Sequence, residues 1–405
     1  AAAFLITGCG GGGGGGQGGG GGQSGPTATI VSDLPLQGSN RPQNETIVNA
    51  ITMALEERNY MAGDVQINYK SQDNSTAQAG KWDEAKCSEN AQSAAQNQDI
   101  VGWIGPFNSG CAAVEIPILN QAGLAMVSPA NTALGLTKPS GEPGEPEKYY
   151  PTGNRNYTRV IVADDKQGRA GAVWMRDEGV QSVYILDDQE TYGKGLADQF
   201  QRAAEGLGIQ VLGRQGIDGK AANYRSLMSQ IAQTNPDAIY YGGITQNNAG
   251  QLVNDKLGAG MPNENVIFMG PDGIFEDAFL EAAGNSAEGI YVTFGGLPGS
   301  ELPGKGQDFV QKYKDKYGSD VEAYTAYGYE AANVLLDAIQ RAYDNDGAAT
   351  REGVVRELFA TSNYDGVLGT WSFDQDGDTT LTELSGQKVE NGKFEFNRVI
   401  DIGGA

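Results

Sequence analysis

The sequence predicts an α/β protein of two lobes, each built on a doubly wound parallel sheet. The chain has 405 residues, more than one ordinary hydrophobic core accommodates. Short apolar runs alternate with amphipathic helical stretches, which is typical of parallel sheets. This alternation stops in a Pro/Gly-rich segment between Gly135 and Arg155 and then starts again. We therefore expect two lobes of similar construction.

The first series of elements predicts lobe 1. A strand at 28–31 is followed by a loop and by Ile47, Ile51 and Leu55, whose spacing predicts a helix. Helices are also expected around 87–95 and from about Ala112. The further strands predicted in this half are 66–69, 100–104 and 124–127.

The second series predicts lobe 2 and then the end of both sheets. Its strands are expected at 159–162, 182–186, 209–212, 238–241, 266–269 and 289–292. Amphipathic helices follow around 309–317 and 331–343, and then β-rich sequence from 369 to 400. Asp376-Gly377 and Asn391-Gly392 are turn signals within that last part.

The composition argues against several classes of function. There are 28 lysine and arginine residues against 51 aspartate and glutamate residues, a formal net charge of -23, so nucleic acid is not an expected partner. The chain has no histidine and no Gly-x-Ser-x-Gly elbow, so the usual activated nucleophiles are missing. The glycine tract at 10–22 lacks the strand and helix that a phosphate-binding loop needs. We expect no enzymatic activity, no cofactor and no metal.

An apolar stretch ending in Ile6-Thr7-Gly8-Cys9 opens the sequence. It resembles the end of a bacterial signal peptide with a lipobox, in which the cysteine becomes lipidated. The alternative is the end of a buried strand. The following tract at 10–22, broken only by Gln17, has the composition of a flexible tether and favours lipidation of Cys9. We expect a lipid-anchored, extracytoplasmic protein with a signal-peptide remnant at 1–9 and a tether at 10–26.

The other two cysteines, Cys87 and Cys111, then form an even pair in an oxidising compartment. A bridge between them would stabilise the fold by roughly 3 kcal/mol. The alternative is a pair of buried thiols.

Ordered motifs from Thr27 to the C-terminus resemble the type I periplasmic binding proteins of ABC transporters, and most of all the Leu/Ile/Val receptors. The motifs in lobe 1 are Ile104-Gly105-Pro106, Ser109, Pro117-Ile118, Asn120-Gln121-Ala122-Gly123 and Val127-Ser128-Pro129-Ala130-Asn131-Thr132. Those in lobe 2 are Gln189-Glu190-Thr191-Tyr192-Gly193, Tyr240-Tyr241-Gly242-Gly243, Phe268-Met269-Gly270-Pro271-Asp272-Gly273 and Ser286-Ala287-Glu288-Gly289.

The resemblance implies a two-lobed fold with three hinge crossings, which we place near residues 156, 289 and 382. Lobe 1 would then comprise 27–156 plus 290–382, and lobe 2 157–289 plus 383–405. The implied function is capture of a small, branched-chain or related amino acid for a membrane permease, by a monomer. A sensor of small amides or other metabolites with the same fold is the alternative.

The resemblance also implies the lobe 1 part of the ligand site. The hydroxyl of Ser109 and the free N–H groups at Ser109 and Gly110 would bind the ligand carboxylate at a helix N-terminus. Ala130 would offer its carbonyl to the ammonium, and Thr132 its hydroxyl and N–H. Without the resemblance, Ser109 is an ordinary N-cap. Cys111 follows this serine, whereas the corresponding family cysteine precedes it.

In lobe 2, the resemblance implies that Asp272 pairs with the ligand ammonium and that Tyr192 is an aromatic residue of the cleft. On its own, Asp272 before a glycine is typical of a turn. Ile244 stands where the Leu/Ile/Val receptor has a tyrosine that closes over the ligand, which leaves the ligand's side chain open. Arg41 either lies at the surface or faces a polar ligand.

Overall fold

Two mainly parallel sheets form the two lobes of the computed structural model, which describes residues 25–403. Cys9 and the glycine tract lie outside the described residues. Within the described residues no helix is both long and apolar enough to cross a membrane.

Lobe 1 is built on a six-stranded sheet with the order β2-β3-β1-β4-β5-β6. Its strands are β1 (Thr27–Leu34), β2 (Met61–Ala62), β3 (Val65–Asp73), β4 (Ile100–Ile104), β5 (Ala125–Ser128) and β6 (Tyr157–Arg159). Only the short edge strand β2 is antiparallel to its neighbour. Every residue of β4 is buried, as expected for a central strand that is covered on both faces.

The helices of lobe 1 come from two parts of the chain. The first part contributes α1 (Arg41–Glu57), α2 (Glu84–Gln96) and α3 (Ser109–Gln121). The later part contributes α9 (Gly304–Tyr317), α10 (Thr325–Asp346) and α11 (Arg351–Phe359), together with the small hairpin of β12 (Tyr364–Gly366) and β13 (Gly369–Trp371). The buried faces of α1 and α10 share one apolar core with this sheet.

Lobe 2 is built on a seven-stranded sheet with the order β15-β14-β11-β10-β9-β7-β8. Its strands are β7 (Ser182–Asp187), β8 (Gln210–Gly216), β9 (Ala238–Gly242), β10 (Ile267–Gly270), β11 (Tyr291–Phe294), β14 (Ser385–Glu390) and β15 (Lys393–Val399). Its helices are α4 (Asp164–Asp177), α5 (Thr191–Gly206), α6 (Arg225–Thr234), α7 (Ala249–Gly258) and α8 (Asp277–Ala283). The last two strands are antiparallel and are joined by the turn predicted at Asn391-Gly392.

The chain passes between the lobes three times, as predicted, but the first two crossings were placed too early. β6 pairs with β5, so the first crossing follows Arg159 rather than residue 156. β11 pairs with β10, so the second follows Phe294 rather than residue 289. An apolar run shows that a strand is buried but not which sheet it joins, and both short strands lie beside a crossing. The third crossing lies between Asp378 and β14.

A buried ion pair joins the first and third crossings. Arg159 is fully buried and donates from Nε to Asp378 over 2.7 Å and from a terminal nitrogen to the carbonyl of Ala133 over 2.8 Å. Lys138 also contacts Asp378, at 2.9 Å. The two cations lower the pKa of Asp378 to about 2 although burial opposes this. These contacts tie the Pro/Gly-rich segment of lobe 1 to the hinge.

Candidate functional site

The predicted ligand residues lie where the carboxyl ends of the two sheets face each other. Ser109 begins α3 after β4, and Ala130 follows β5; both belong to lobe 1. In lobe 2, Tyr192 lies in the first turn of α5, Ile244 follows β9 and Asp272 follows β10. Ligands of open α/β sheets bind at this edge because loops and helix N-termini converge there.

These residues line a small cavity. It has a volume of about 20 Å³, enough for about one water molecule. Ser109, Gly110, Ala130, Tyr192, Ile244 and Asp272 all line it, together with Phe107, Asn108, Glu190, Gly273 and Tyr324. Thr132 does not line it. A ligand the size of an amino acid would fit here only if the lobes moved apart and then closed over it.

Several larger cavities lie elsewhere along the interlobe boundary, among them these two. One of about 330 Å³ lies between the Pro/Gly-rich segment and α5. The other, of about 770 Å³, lies around Phe275, Glu322 and Phe394. Neither contains the predicted ligand residues, so volume alone does not identify the site. The convergence of polar groups from strand ends of both lobes does.

The N-terminus of α3 offers an anion site. Its first N–H groups, at Ser109 and Gly110, have no partner within the helix, and the helix dipole favours negative charge there. The Ser109 hydroxyl oxygen accepts a hydrogen bond from the N–H of Ala133 at 3.3 Å, which leaves its own proton available. Gly110 lies against the ring of Trp82, which a Cβ at this position would approach to 2.4 Å.

Asp272 is held by three side chains. Tyr192 Oη and Gln167 Nε2 donate to its Oδ1 at 2.5 and 2.6 Å, and Tyr324 Oη donates to its Oδ2. Burial raises the pKa of Asp272, and these hydrogen bonds offset part of that effect. Tyr324 belongs to lobe 1, so its bond with Asp272 spans the cleft. The residue predicted to hold the ammonium therefore also connects the closed lobes.

A second carboxyl group, not predicted from the sequence, lies beside this one. Asp164 is the first residue of α4 and is fully buried. Neither of its side-chain oxygens has a hydrogen-bond partner among the described residues. Burial, and next the charge of Asp272, raise the pKa of Asp164 well above its usual range. The Thr132 hydroxyl and the charge of Arg159 offset part of that shift. A buried carboxyl group with so little compensation is costly, and it would be stabilised by a cationic group nearby.

Thr132 lies behind the cavity, beside Asp164. Its carbonyl accepts a hydrogen bond from the Asp164 N–H at 2.9 Å. Its hydroxyl is buried and has no hydrogen-bond partner among the described residues. The expected direct contact of Thr132 with a ligand thus requires the cavity to widen toward Asp164.

The loop between β3 and α2 covers the cleft from lobe 1. Lys81 forms an ion pair with Glu190 of lobe 2 and donates to Asn247 Oδ1 at 2.7 Å. Trp82 Nε1 donates to Glu190 at 3.1 Å. Neither Lys81 nor Trp82 was predicted as a site residue, because no local pattern shows that this loop reaches the opposite lobe.

Cys87 of α2 and Cys111 of α3 form a disulfide bond, with their Cα atoms 5.7 Å apart. It joins the helix after the covering loop to the helix that carries Ser109. The sequence left open a disulfide bond or a pair of buried thiols, and the structure contains the disulfide bond.

Arg41 is exposed at the start of α1 and pairs with Glu45 in the same helix at 2.6 Å. It does not line the cavity. This position agrees with the first of the two alternatives, that Arg41 lies at the protein surface.

Comparison with known proteins identifies the family. A family model described as periplasmic binding protein matches residues 29–393. The Leu/Ile/Val-binding protein homolog 2 of Brucella abortus is 29% identical over 297 residues, 72% of this chain and 74% of the relative. The leucine-, isoleucine-, valine-, threonine-, and alanine-binding protein of Pseudomonas aeruginosa is 24% identical over 284 residues, 70% of this chain and 69% of the relative.

Solved structures show the same architecture. The leucine-binding protein LivK of Thermotoga maritima superposes with a TM-score of 0.80 at 26% identity, over 92% of this chain and 99% of that one. LivJ of Streptococcus pneumoniae, solved with isoleucine, has a TM-score of 0.78 at 22% identity, over 92% and 99% of the two chains. The two-lobed α/β fold predicted from the sequence is confirmed, and the chain belongs to the periplasmic binding protein family.

Proposed function

We propose that the protein captures a small amino acid in the interlobe cleft and presents it to the permease of an ABC importer. One observation carries the proposal: the N-terminus of α3 and Asp272 line the same cavity from opposite lobes, and a second buried carboxyl group, Asp164, lies near Asp272 outside the cavity lining. A zwitterion needs a cationic and an anionic partner site within one small space. The relative from Brucella abortus is named for leucine, isoleucine and valine binding, and the related LivJ structure contains isoleucine, which supports the same class of ligand.

The carboxylate end of the ligand is assigned to lobe 1. The N–H groups at Ser109 and Gly110 and the Ser109 hydroxyl provide donors at the positive end of a helix of 13 residues. No lysine or arginine lines the cavity, so the helix terminus supplies the complementary charge at this part of the described structure.

The ammonium end is assigned to the space between the Ala130 carbonyl and the two carboxyl groups. Asp272 already accepts three hydrogen bonds from protein side chains. Asp164 accepts none by distance and angle from the described residues, but it does not line the cavity, so a direct hydrogen bond from the ligand to Asp164 requires the cavity to widen past Thr132. Asp272 adds its charge and holds the rings of Tyr192 and Tyr324 in place through their hydroxyl groups.

Closure around the ligand would be the signal that the permease reads. Ser109 and Ala130 belong to lobe 1, whereas Asp164 and Asp272 belong to lobe 2. A ligand held by both lobes favours the closed form by the difference between its affinities for the two forms. The protein would act outside the cytoplasm, as a monomer and without catalysis.

We also propose that Cys9 is lipidated and keeps the receptor at the membrane. The support is the apolar sequence before Cys9 and the glycine-rich stretch that follows it. Replacing Cys9 with serine in the secreting host would move the protein from the membrane fraction to the soluble fraction. Retention of that variant in membranes would contradict lipid anchoring through Cys9.

A thermal-shift screen of the purified protein against single amino acids tests the main proposal. A ligand at 100 times its Kd stabilises the native state by about 2.7 kcal/mol and should raise Tm by several degrees. The 2-hydroxy acid of the same side chain, which lacks the ammonium, is the matched control and should shift Tm much less. An absence of shift with every amino acid would overturn the proposed ligand class.

A further inference from the structure

The side chain of Asn108 is the polar group of the cavity wall that lacks a partner. Asn108 is the N-cap residue of α3, with extended backbone angles of -91° and 135°. An asparagine at this position normally accepts a hydrogen bond from an N–H of the first turn, but the Asn108 side chain makes no such bond. The residue is only 7% exposed, and its Oδ1 is buried without a partner among the described residues.

The other polar side chains that line the cavity all have hydrogen-bond partners. Ser109 accepts from Ala133, and Glu190 accepts from Lys81 and Trp82. Tyr192 and Tyr324 both donate to Asp272. The Asn108 side chain therefore does not cap the helix, and its buried Oδ1 has no hydrogen-bond partner among the described residues. Both features lower the stability of the folded state.

Asn108 lies next to the carboxylate end of the cleft, and its other neighbours are aromatic and apolar. Phe107 precedes it and packs edge-to-face on Tyr324, with ring centroids 5.1 Å apart. Ile244 completes the apolar part of the wall. A ligand's carboxylate and ammonium have their own partners in the α3 N-terminus and the two aspartates. The unpaired atom of Asn108 is Oδ1, an acceptor that a carboxylate oxygen cannot donate to, so the ligand group that suits it is a donor on the side chain.

We propose that Asn108 selects a small side chain that carries a hydroxyl group, so that the receptor prefers threonine to its aliphatic isostere valine. This inference rests on the proposed function, since it assumes that an amino acid binds in this cleft. A site built to hydrogen-bond a ligand hydroxyl rejects the analogue without it, because the buried polar group of the protein then stays unpaired.

Isothermal titration of the wild-type protein with threonine and valine tests the preference directly. The two ligands have the same shape and differ by a hydroxyl against a methyl group. We expect threonine to bind at least about 10-fold more tightly than valine, within the range that one unpaired buried polar group produces. Equal affinities, or tighter binding of valine, would overturn the inference.

The variant Asn108→Leu tests the residue. It should abolish or reverse the preference, bringing the ratio of the valine Kd to the threonine Kd to about one or below. Asn154→Leu is the matched control, because Asn154 is exposed and lies before β6, at the opposite end of the lobe 1 sheet; this variant should keep the wild-type ratio. Asn108→Ser, which retains a polar group, is a second substitution if the leucine variant does not fold. The ratio of the valine Kd to the threonine Kd in the wild-type protein tests the preference itself without any variant.

The outcomes separate this inference from the proposed function. If Asn108→Leu weakens both ligands by the same factor, Asn108 binds the common carboxylate and the selectivity inference is wrong. If the wild-type protein binds no amino acid, the proposed function is wrong, and the inference about Asn108 is wrong as well. A preference for threonine that Asn108→Leu removes supports both.

Discussion

Asp164→Asn is the substitution that most directly tests the ammonium site. The change is nearly isosteric and removes the negative charge that Asp164 would carry beside a bound ammonium, at a fully buried position whose oxygens have no hydrogen-bond partner by distance and angle among the described residues. Removing one member of a buried charge pair costs about 2–5 kcal/mol in binding. Because Asp272 remains, we expect the lower end, about 2 kcal/mol, which corresponds to a roughly 30-fold rise in Kd.

The same substitution should stabilise the ligand-free protein. A buried polar group without a partner costs about 1–3 kcal/mol, and more if it is charged. The folded state bears this cost either as a charge without a partner or as a proton held at neutral pH, and an asparagine carries neither. Tm of the ligand-free variant should therefore rise by about 1 °C for each kcal/mol recovered, as expected for a chain of this size. Weaker binding together with a higher Tm is characteristic of a group kept for a ligand rather than for the fold.

Ligand binding should also release a proton from Asp164. Burial and the charge of Asp272 raise its pKa well above the usual range in the ligand-free protein. An ammonium beside the carboxyl group favours the charged form and lowers that pKa. Between the two pKa values binding therefore expels a proton, and affinity increases with pH. The Asp164→Asn variant should lose this component.

Isothermal titration measures all of these effects in one experiment. The amino acid and its 2-hydroxy analogue would be titrated in two buffers of different ionisation enthalpy, with Asp177→Asn as control, since Asp177 is exposed at the other end of α4. Only the amino acid should lose affinity in Asp164→Asn. Equal losses for the amino acid and the analogue, or an unchanged Kd, would refute the assignment of Asp164.

Three further predictions concern closure and stability. Tyr324→Phe removes the interlobe hydrogen bond to Asp272 but keeps the ring packing; we expect roughly 10-fold weaker ligand binding by titration, as for a hydrogen bond to a charged group, and unchanged binding would exclude a role in closure. Replacing Cys87 and Cys111 with alanine opens a bridge that spans 24 residues; calorimetry should show a loss of about 3 kcal/mol, and an unaltered Tm would contradict this. Burial raises the pKa of both Glu276 and Glu322 to about 7 in the folded protein. The glutamate pKa in the unfolded chain is about 4.3, so the unfolded state loses its protons first. The free energy of unfolding should therefore fall as pH rises from about 4.5 to about 7. Melting curves should therefore give a lower Tm at pH 8 than at pH 5, and Glu322→Gln should reduce the difference; an identical pH dependence of Tm in this variant would remove Glu322 from the explanation.

The sequence was sufficient to locate most of the candidate cleft. Ser109, Ala130, Ile244 and Asp272 each follow a predicted strand, and Tyr192 begins the helix after another. In a parallel sheet, all such positions meet at one edge. The alternation of strands and helices, combined with the resemblance to a known family, was therefore enough to predict that these residues lie close together.

Only the tertiary structure showed which groups are partnered and which are not. Asp164 reads as an ordinary acidic residue in the first turn of a helix, and Tyr324 as part of an apolar stretch. Their significance depends on contacts between segments that are far apart in the chain, as with Tyr324 and Asp272. The unpaired ends of Asp164 and Asn108 are likewise visible only once all neighbours are in place.

The same distinction explains the misplaced crossings. Hydrophobic pattern determines that β6 and β11 are buried strands, because burial follows from the side chains of the strand itself. The choice of sheet is decided by backbone hydrogen bonds to β5 and β10, which depend on partners elsewhere in the chain. The sequence alone thus determined the α/β class, the two lobes and the edge that carries the cleft. Tertiary packing decided where the lobes join and which polar groups are left for a ligand.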